Sequence, residues 1–474
     1  MTERLFGTDG IRGVANAYPM TAEMALKVGR AAGFIFQREE RPHTILIGKD
    51  TRLSGYMLEN ALTAGLCSMG VHVLLVGPLP TPGVSYIMRS LRADGAIMIS
   101  ASHNPFQDNG IKFFGRDGFK IADEVEDEIE RFVTTPAVDD IRPTAERIGT
   151  ARRIDDAVGR YIEFVKASFP KGMRLDGLKI VCDCANGATY KVGPFTLAEL
   201  GAEVIAIENR PDGRNINRNC GSVHPAEMRA TVIREQADLG IAFDGDGDRI
   251  VMADENGRLL DGNALLAILG TDMLERDELP QKTVVATVMS NAGLERALRP
   301  YGGKVLRTKV GDRHVMEPMR EQGLTLGGEP SGHIVMLEHN TTGDAVIAAL
   351  HVLARLIRRD QPMSALADVY QPLPEAHAKA PLNTKRPPSD EQLEAIQREG
   401  EAELNGNGCV LVRRSGTEPI IRVMVQHESI RKAEALAKEL ASRIASVQNS
   451  NALTAQKGKE VIPCGQFLVV SGCC

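Results

Sequence analysis

No stretch of this 474-residue chain is apolar over the length needed to cross a bilayer. Its opening, Met1-Thr2-Glu3-Arg4-Leu5-Phe6-Gly7, lacks the apolar core of a signal peptide. These absences point to a cytoplasmic protein without a membrane partner. An excess of basic residues is also missing. With 56 Lys and Arg against 62 Asp and Glu, the net charge is -6, which argues against nucleic acid as the main partner. The eight cysteines show no paired CxxC spacing of the zinc type. Cys182 and Cys184 fall in an apolar strand, so buried thiols in a reducing compartment are expected rather than disulfides. At 43% hydrophobic and 25% charged, the composition is that of an ordinary globular protein, and the length calls for several domains.

A βαβ pattern occurs three times. The first copy runs from His43–Asp50 through a helical stretch to Gly70–Val76. The second runs from Leu178–Asp183 to Gly201–Ile207, and the third from Lys282–Thr287 to Gly302–Leu306. Each is strand, polar loop, helix, glycine turn, strand, which predicts three similar α/β/α domains in tandem. The expected boundaries are 1–150, 151–253 and 254–370. Proline-rich Pro372–Pro388 reads as a linker. A smaller α+β unit follows at 371–447, with strands Cys409–Val412 and Ile420–Val425 and a last helix over Ser429–Ile444. Residues 448–474 read as a tail without helical periodicity.

Four loops carry chemically suggestive residues. In the first, the apolar run Ile97–Ile99 ends at Ser100-Ala101-Ser102-His103-Asn104-Pro105, and Ile111–Phe114 returns as a strand. Such a hairpin presents the Ser102 hydroxyl outward, as a nucleophile or phosphate carrier, or merely as a surface serine. In the second, Asp244-Gly245-Asp246-Gly247-Asp248-Arg249 lies between apolar strands. Three carboxylates at alternate positions repel one another unless a cation lies between them, and an all-oxygen set selects Mg²⁺ or Ca²⁺. An EF-hand is excluded, because Arg249 stands where that loop needs glycine and the flanks are strands. The third loop, Glu329-Pro330-Ser331-Gly332-His333, suits hydrogen bonding to sugar hydroxyls, with His333 able to move protons; an ordinary polar turn fits as well. The fourth, Arg413-Arg414-Ser415-Gly416-Thr417-Glu418-Pro419 followed by Arg422, can cradle a phosphate or can be a hairpin with solvated arginines.

In their order and spacing these loops resemble the α-D-phosphohexomutase superfamily, from Phe6 to about Ile444. Phe6–Gly13, Asn340–Asp344 and Ser415–Pro419 are similar to its bacterial phosphoglucosamine mutase branch. The resemblance implies three α/β/α domains and a TATA-box-binding-protein-like fourth domain around a central cleft. It implies that Ser102 is a phosphoserine, and that Asp244, Asp246 and Asp248, with the Ser102 phosphate, hold one Mg²⁺. It assigns Glu329 and Ser331 to sugar hydroxyls, and Arg413, Ser415, Gly416, Thr417 and Arg422 to the substrate phosphate. Arg12, His103, Lys112 and Arg249 line the transfer site, with His333 and Lys112 as proton-transfer candidates. The implied reaction interconverts glucosamine 6-phosphate and glucosamine 1-phosphate through a 1,6-bisphosphate, with a sugar bisphosphate as primer. The enzyme is expected as a monomer or homodimer. Mutases acting on glucose or mannose phosphates, and a Mg²⁺-dependent sugar phosphatase, are the alternatives. The tail 448–474 has no counterpart in that pattern.

Overall fold

The computed structural model describes residues 4–457, apart from 8, 38, 136, 138–140, 385–386 and 416–417. It divides the chain into two units, residues 1–371 and the remainder. Among the described residues no helix is long and apolar enough to cross a membrane.

The first unit holds three sheets. The first contains β1 (Ile11–Val14), β2 (Thr44–Lys49), β3 (His72–Pro78), β4 (Gly95–Ile99), β5 (Asp108–Gly115) and β6 (Ala151–Arg153), in the order β1-β5-β4-β2-β3-β6. Its central strands are covered on both faces, which explains their unbroken apolar runs. Ile45, Ile47, Val73, Ile97 and Ile99 face the helices Ala22–Phe36 and Gly55–Ser68, while Leu46, Leu74, Ala96 and Met98 join a core shared with the next two domains. The two helices pack closely because Gly65 lies at their contact, where a Cβ would come within 2.4 Å of the Leu26 carbonyl oxygen. The second sheet contains β7 (Lys179–Asp183), β8 (Glu203–Ile207), β9 (Leu239–Phe243), β10 (Ile250–Asp254) and β11 (Leu259–Leu260), ordered β11-β10-β9-β7-β8. The third contains β12 (Thr283–Thr287), β13 (Lys304–Thr308), β14 (Leu326–Gly328) and β15 (Ile334–Met336), ordered β13-β12-β14-β15.

All three expected βαβ units form, as the parallel pairs β2/β3, β7/β8 and β12/β13. Each sheet then adds a parallel strand on the other side of the first strand, followed by an antiparallel return: β4 then β5, β9 then β10, β14 then β15. The Ser102 loop, the aspartate loop and the Glu329 loop are therefore the same hairpin in three successive copies. The domain limits differ slightly from the expectation. β6 pairs with β3, so residues 151–153 close the first sheet, and β11 pairs with β10, so 254–260 complete the second.

The second unit is α+β. It contains β16 (Glu375–Pro381), β17 (Gly408–Arg414) and β18 (Ile420–His427), all antiparallel in the order β16-β18-β17, with the helices Asp390–Leu404 and Ile430–Lys457. Two sequence expectations are corrected here. The supposed linker contains β16, an edge strand whose buried face is carried by Ala376 and Ala380, too small to give a clear alternation. The last helix does not stop near Ile444 but continues to Lys457, because neither glycine nor proline occurs between 430 and 457. Gln448 therefore belongs to the domain: it is buried, and its amide nitrogen donates to the Pro381 carbonyl oxygen at 3.0 Å. Residues 458–474 of the expected tail lie outside the described residues. Among the described residues the thiols of Cys67, Cys182, Cys184 and Cys220 form no disulfide, as the sequence implies.

One packing feature makes stability pH-dependent. The His339 and His351 rings meet at 4.5 Å, and burial, aided by His339, Arg276 and Arg358, pushes His351 down to about 3. As the pH falls below the ordinary histidine value, the unfolded chain takes up a proton that the folded one refuses. Stability is intact above about pH 6.5 and declines towards pH 3. At pH 5 the loss from this group is at most about 2 kcal/mol, or about 1.5 pH units at 1.36 kcal/mol each. Thermal melts from pH 7 to pH 4 are expected to fall less steeply for His351→Leu than for the parent; parallel curves would exclude this contribution.

Candidate active site

Ser102 follows β4 at the first of the three equivalent hairpins. The hydroxyl does not stand outward. Ser102 is 1% exposed, with a left-handed φ of 51° that turns its side chain inward onto the second domain. There Oγ donates to Asp244 Oδ2 at 2.7 Å, and the backbone N–H donates to Ser100 Oγ at 2.9 Å. A hydroxyl that one domain contributes thus rests on a carboxylate from the next.

Asp244, Asp246 and Asp248 are all buried, and each offers a carboxylate oxygen within 4.8 Å of the other two. Asp244 Oδ1 accepts the backbone N–H groups of Gly247 and Arg249, at 3.0 and 3.2 Å, so the loop curls around it. Asp246 Oδ2 accepts from Thr81 Oγ1 at 2.7 Å and Lys112 Nζ at 3.1 Å. The second oxygens, Asp246 Oδ1 and Asp248 Oδ1, are buried without a hydrogen-bond partner. Burial together with repulsion from Asp248 and Asp246 pushes the Asp244 carboxyl well above the usual range. Three crowded acids with two orphaned oxygens fit a hard divalent cation.

Cations surround this cluster. Lys112 Nζ lies 3.1 Å from both Asp246 Oδ2 and Asp9 Oδ2 and 3.9 Å from Asp248 Oδ2. Burial disfavours its charge, but Asp246, Asp9 and Asp248 outweigh burial and hold it above the usual lysine value. Lys112 is therefore held as an ammonium ion among three carboxylates. His103 Nδ1 accepts from Arg249 Nη1 at 2.9 Å and lies 3.5 Å from Ser102 Oγ. Burial, then Arg249 and Arg12, keep its imidazole neutral. Arg12 pairs with Asp9, and Lys120 bridges Asp9 and Asp312. Asp9, Lys120 and Asp312 escaped the sequence reading. Lys120 joins partners 111 and 192 residues away, and no local pattern announces such a contact.

In the third hairpin, Glu329 Oε1 accepts from the Gly311 N–H at 3.0 Å, and Ser331 is exposed. His333 is buried, with Nδ1 3.7 Å from Asp248 Oδ2, and burial is outweighed by Asp248, so its pKa is raised. Its ring packs on Gly343, where a Cβ would come within 2.5 Å of Cε1. This enclosure places the His333 imidazole beside the acidic cluster. The Asn340–Asp344 run is a domain joint. Asn340 Oδ1 accepts from Arg89 and its Nδ2 donates to the Pro82 carbonyl, while Asp344 accepts from Tyr161 and caps the helix Ala345–Arg359.

In the second unit, Arg413 and Arg422 face each other across β17 and β18. Arg422 pairs with Glu418 and Arg414 with Asp390, whereas the exposed Arg413 has no carboxylate partner among the described residues. Ser415 is partly buried; Gly416 and Thr417 lie outside the described residues. A cavity of about 990 Å³ between the first and third domains is lined by Lys120, Asp312 and Arg320 but not by Ser102 or the aspartates. Chemistry rather than size therefore locates the site.

Comparison with known proteins agrees with this geometry. The model described as phosphoglucomutase/phosphomannomutase, alpha/beta/alpha domain I, matches residues 3–138; domains II and III of the same family match 159–257 and 261–373, and its C-terminal domain matches 363–443. The phosphoglucosamine mutase of Anaeromyxobacter dehalogenans is 54% identical over 94% of this chain and 99% of its own. That of Geotalea uraniireducens is 54% identical over 93% and 98%. A phosphoglucomutase/phosphomannomutase family protein from Burkholderia thailandensis superposes with a TM-score of 0.74 at 25% identity, covering 96% of this chain and 98% of its own. The Aspergillus fumigatus N-acetylphosphoglucosamine mutase, solved with GlcNAc-6P and magnesium, shares the fold with a TM-score of 0.59 at 19% identity, covering 94% and 96%.

Proposed function

This chain belongs to the phosphoglucomutase/phosphomannomutase family, and on that premise we propose that it interconverts glucosamine 6-phosphate and glucosamine 1-phosphate. The observation that carries the reading is the Ser102 hydroxyl held 2.7 Å from Asp244 inside the acidic cluster. The near-full-length phosphoglucosamine mutase relatives support the choice of substrate. Phosphorylated Ser102 gives its phosphoryl group to the free 1-hydroxyl of the sugar. The bisphosphate turns within the site, and its 6-phosphoryl group returns to Ser102; a sugar bisphosphate loads the serine at the start.

Asp244, Asp246 and Asp248 would hold the cation, for which the all-oxygen set favours Mg²⁺. When bound, Mg²⁺ supplies positive charge against the transferring phosphoryl group. Lys112 and Arg249 add fixed charge from the protein side. His103, neutral, keeps Arg249 oriented towards Ser102. Glu329 and Ser331 read the sugar hydroxyls, and Arg12 lines the transfer site. Burial of Ser102 keeps water from the phosphoserine.

Replacing Asp246 by asparagine keeps its size and removes one charge. Mg²⁺ affinity measured by titration calorimetry is expected to fall at least about tenfold, with part of the turnover regained in excess Mg²⁺. Unchanged affinity would place the cation elsewhere.

Arg413, Ser415, Gly416, Thr417 and Arg422 are the grip for the phosphate that is not reacting. The same grip serves both ends of the sugar, so Arg413→Ala should lower kcat/KM in both directions. Loss of a charge-assisted hydrogen bond costs about 1.5–3 kcal/mol, or roughly ten- to hundredfold. Steady-state kinetics from each substrate test this, and unchanged values in both directions would return the loop to an ordinary hairpin.

The substrate assignment is tested with coupled assays on glucosamine, glucose and mannose 6-phosphates, each with and without bisphosphate primer. The expected order places glucosamine first. A preference for glucose or mannose would assign the chain to a neighbouring branch, and release of free phosphate without isomer would indicate a phosphatase.

A further inference from the structure

Arg52 is fully buried, and every one of its side-chain N–H directions is used. Nε donates to Asp50 Oδ2 at 2.8 Å. Nη2 donates to the carbonyl oxygens of Ser102 and Asn104, at 2.9 and 2.8 Å, and Nη1 to those of Pro105 and, at 3.1 Å, Asp108. The hairpin that carries Ser102 thus closes around a single guanidinium. Asp50 also accepts from Ser100 Oγ at 2.6 Å, and Ser100 Oγ in turn accepts the Ser102 N–H. The backbone on both sides of Ser102 is fixed through one Asp50–Arg52 pair.

The second domain sends a donor to the same two carbonyls. Asn217 Nδ2 lies 2.8 Å from the Ser102 carbonyl oxygen and 3.0 Å from that of Asn104. Gly245, inside the aspartate loop, fits beneath them: a Cβ there would come within 2.6 Å of the Ser102 carbonyl oxygen. The Arg52 segment is also docked on the second domain. Thr51 Oγ1 donates to the Asn186 carbonyl at 2.6 Å, and the Leu53 N–H to that of Gly213 at 2.9 Å. Two domains therefore grip the loop from behind while Ser102 Oγ points forward to Asp244. The left-handed φ of Ser102, uncommon for a residue with a Cβ, needs such external support.

We propose that Arg52 and Asn217 are positioning residues that hold the Ser102 loop against the aspartate loop, so that the seryl oxygen stays aligned for phosphoryl transfer and shielded from water. The inference rests on Ser102 as the phosphoryl carrier. A loosened loop loses alignment, which lowers the rate of transfer without touching the groups that bind the sugar. It also admits water, whose oxygen replaces Ser102 Oγ on phosphorus, releasing inorganic phosphate and restoring the serine hydroxyl.

The test uses the full chain with Arg52→Lys and Asn217→Ala. Lysine keeps the charge but offers three donors from one point and cannot span four carbonyls. Arg52→Lys is expected to lower kcat about 100-fold, the scale of a misplacement near 1 Å, and Asn217→Ala about tenfold. KM for glucosamine 6-phosphate should stay within about twofold in both, because binding groups are intact. Intact-mass measurements in substrate-free buffer should show faster loss of the Ser102 phosphate from the variants than from the parent. If Arg52→Lys does not fold, Asn217→Ala alone decides. Parent-like kcat and phosphate lifetime in the folded variants would overturn the proposal, as would a loss of kcat/KM carried by KM alone. A parent that is active with no phosphate ever detected on Ser102 would instead overturn the carrier reading, and the inference with it.

Discussion

Ser102→Ala is expected to abolish turnover and to leave the chain folded. Every phosphoryl group in the proposed cycle passes through Ser102 Oγ, and among the described residues the one other hydroxyl that donates to the three aspartates is that of Thr81, on Asp246 Oδ2. Loss of a covalent nucleophile costs about 10⁴-fold or more in kcat. Stability changes much less. The substitution removes one hydrogen bond and leaves Asp244 Oδ2 without its donor, about 1–3 kcal/mol. The melting temperature should therefore shift by only a few degrees in a chain of this size. Coupled kinetics and a thermal melt check both halves of the expectation. Activity above one per cent of the parent in a folded variant would rule out Ser102 as the carrier.

Lys112→Met should damage both activity and stability. The ammonium is 1% exposed and is the shared neighbour of Asp9, Asp246 and Asp248. Methionine fills similar space but leaves buried carboxylates facing one another. Breaking a buried ion pair from one side costs about 3–5 kcal/mol. Removal of a preorganised cation next to the transferring group costs about 10²–10³-fold in kcat. The stability loss should shrink when Mg²⁺ is added, since a bound cation replaces part of the missing charge. Melts with and without Mg²⁺, alongside kcat, would show this. A variant with parent-like melting in the absence of metal would mean that the acids are not held by Lys112.

The repeats were legible because each βαβ unit is local and its strands are buried on both faces, so unbroken apolar runs mark them directly. Ser102 and the three aspartates were legible for the same reason: each interrupts such a run at a hairpin. The orientation of Ser102 was not, because a left-handed serine pressed onto another domain leaves no trace in neighbouring residues. Arg52 hid in plain view after β2. Its donors reach four carbonyls 50 to 56 residues away in sequence, contacts with no periodicity to reveal them. The chain Lys112–Asp9–Lys120–Asp312 is illegible on the same grounds. Asn340–Asp344 was noticed as part of a resemblance, yet its residues tie domains together and give Gly343 a reason to lack a side chain beside His333. β16 escaped because alanines carry its buried face, and the last helix was cut short because polar residues after Ile444 dilute its periodicity.

Transfer between Ser102 and the sugar is the central step of the proposed cycle, and a single-turnover experiment addresses it directly. The enzyme, phosphorylated on Ser102 and freed of bisphosphate, is mixed with a stoichiometric amount of glucosamine 6-phosphate in Mg²⁺ and quenched over time. Peptide mass mapping follows the seryl phosphate while chromatography follows the sugars. The expected result is loss of phosphate from Ser102 at the rate at which glucosamine 1,6-bisphosphate appears, followed by its return as glucosamine 1-phosphate forms. Formation of glucosamine 1-phosphate while the phosphate on Ser102 never exchanges with the sugar would contradict it.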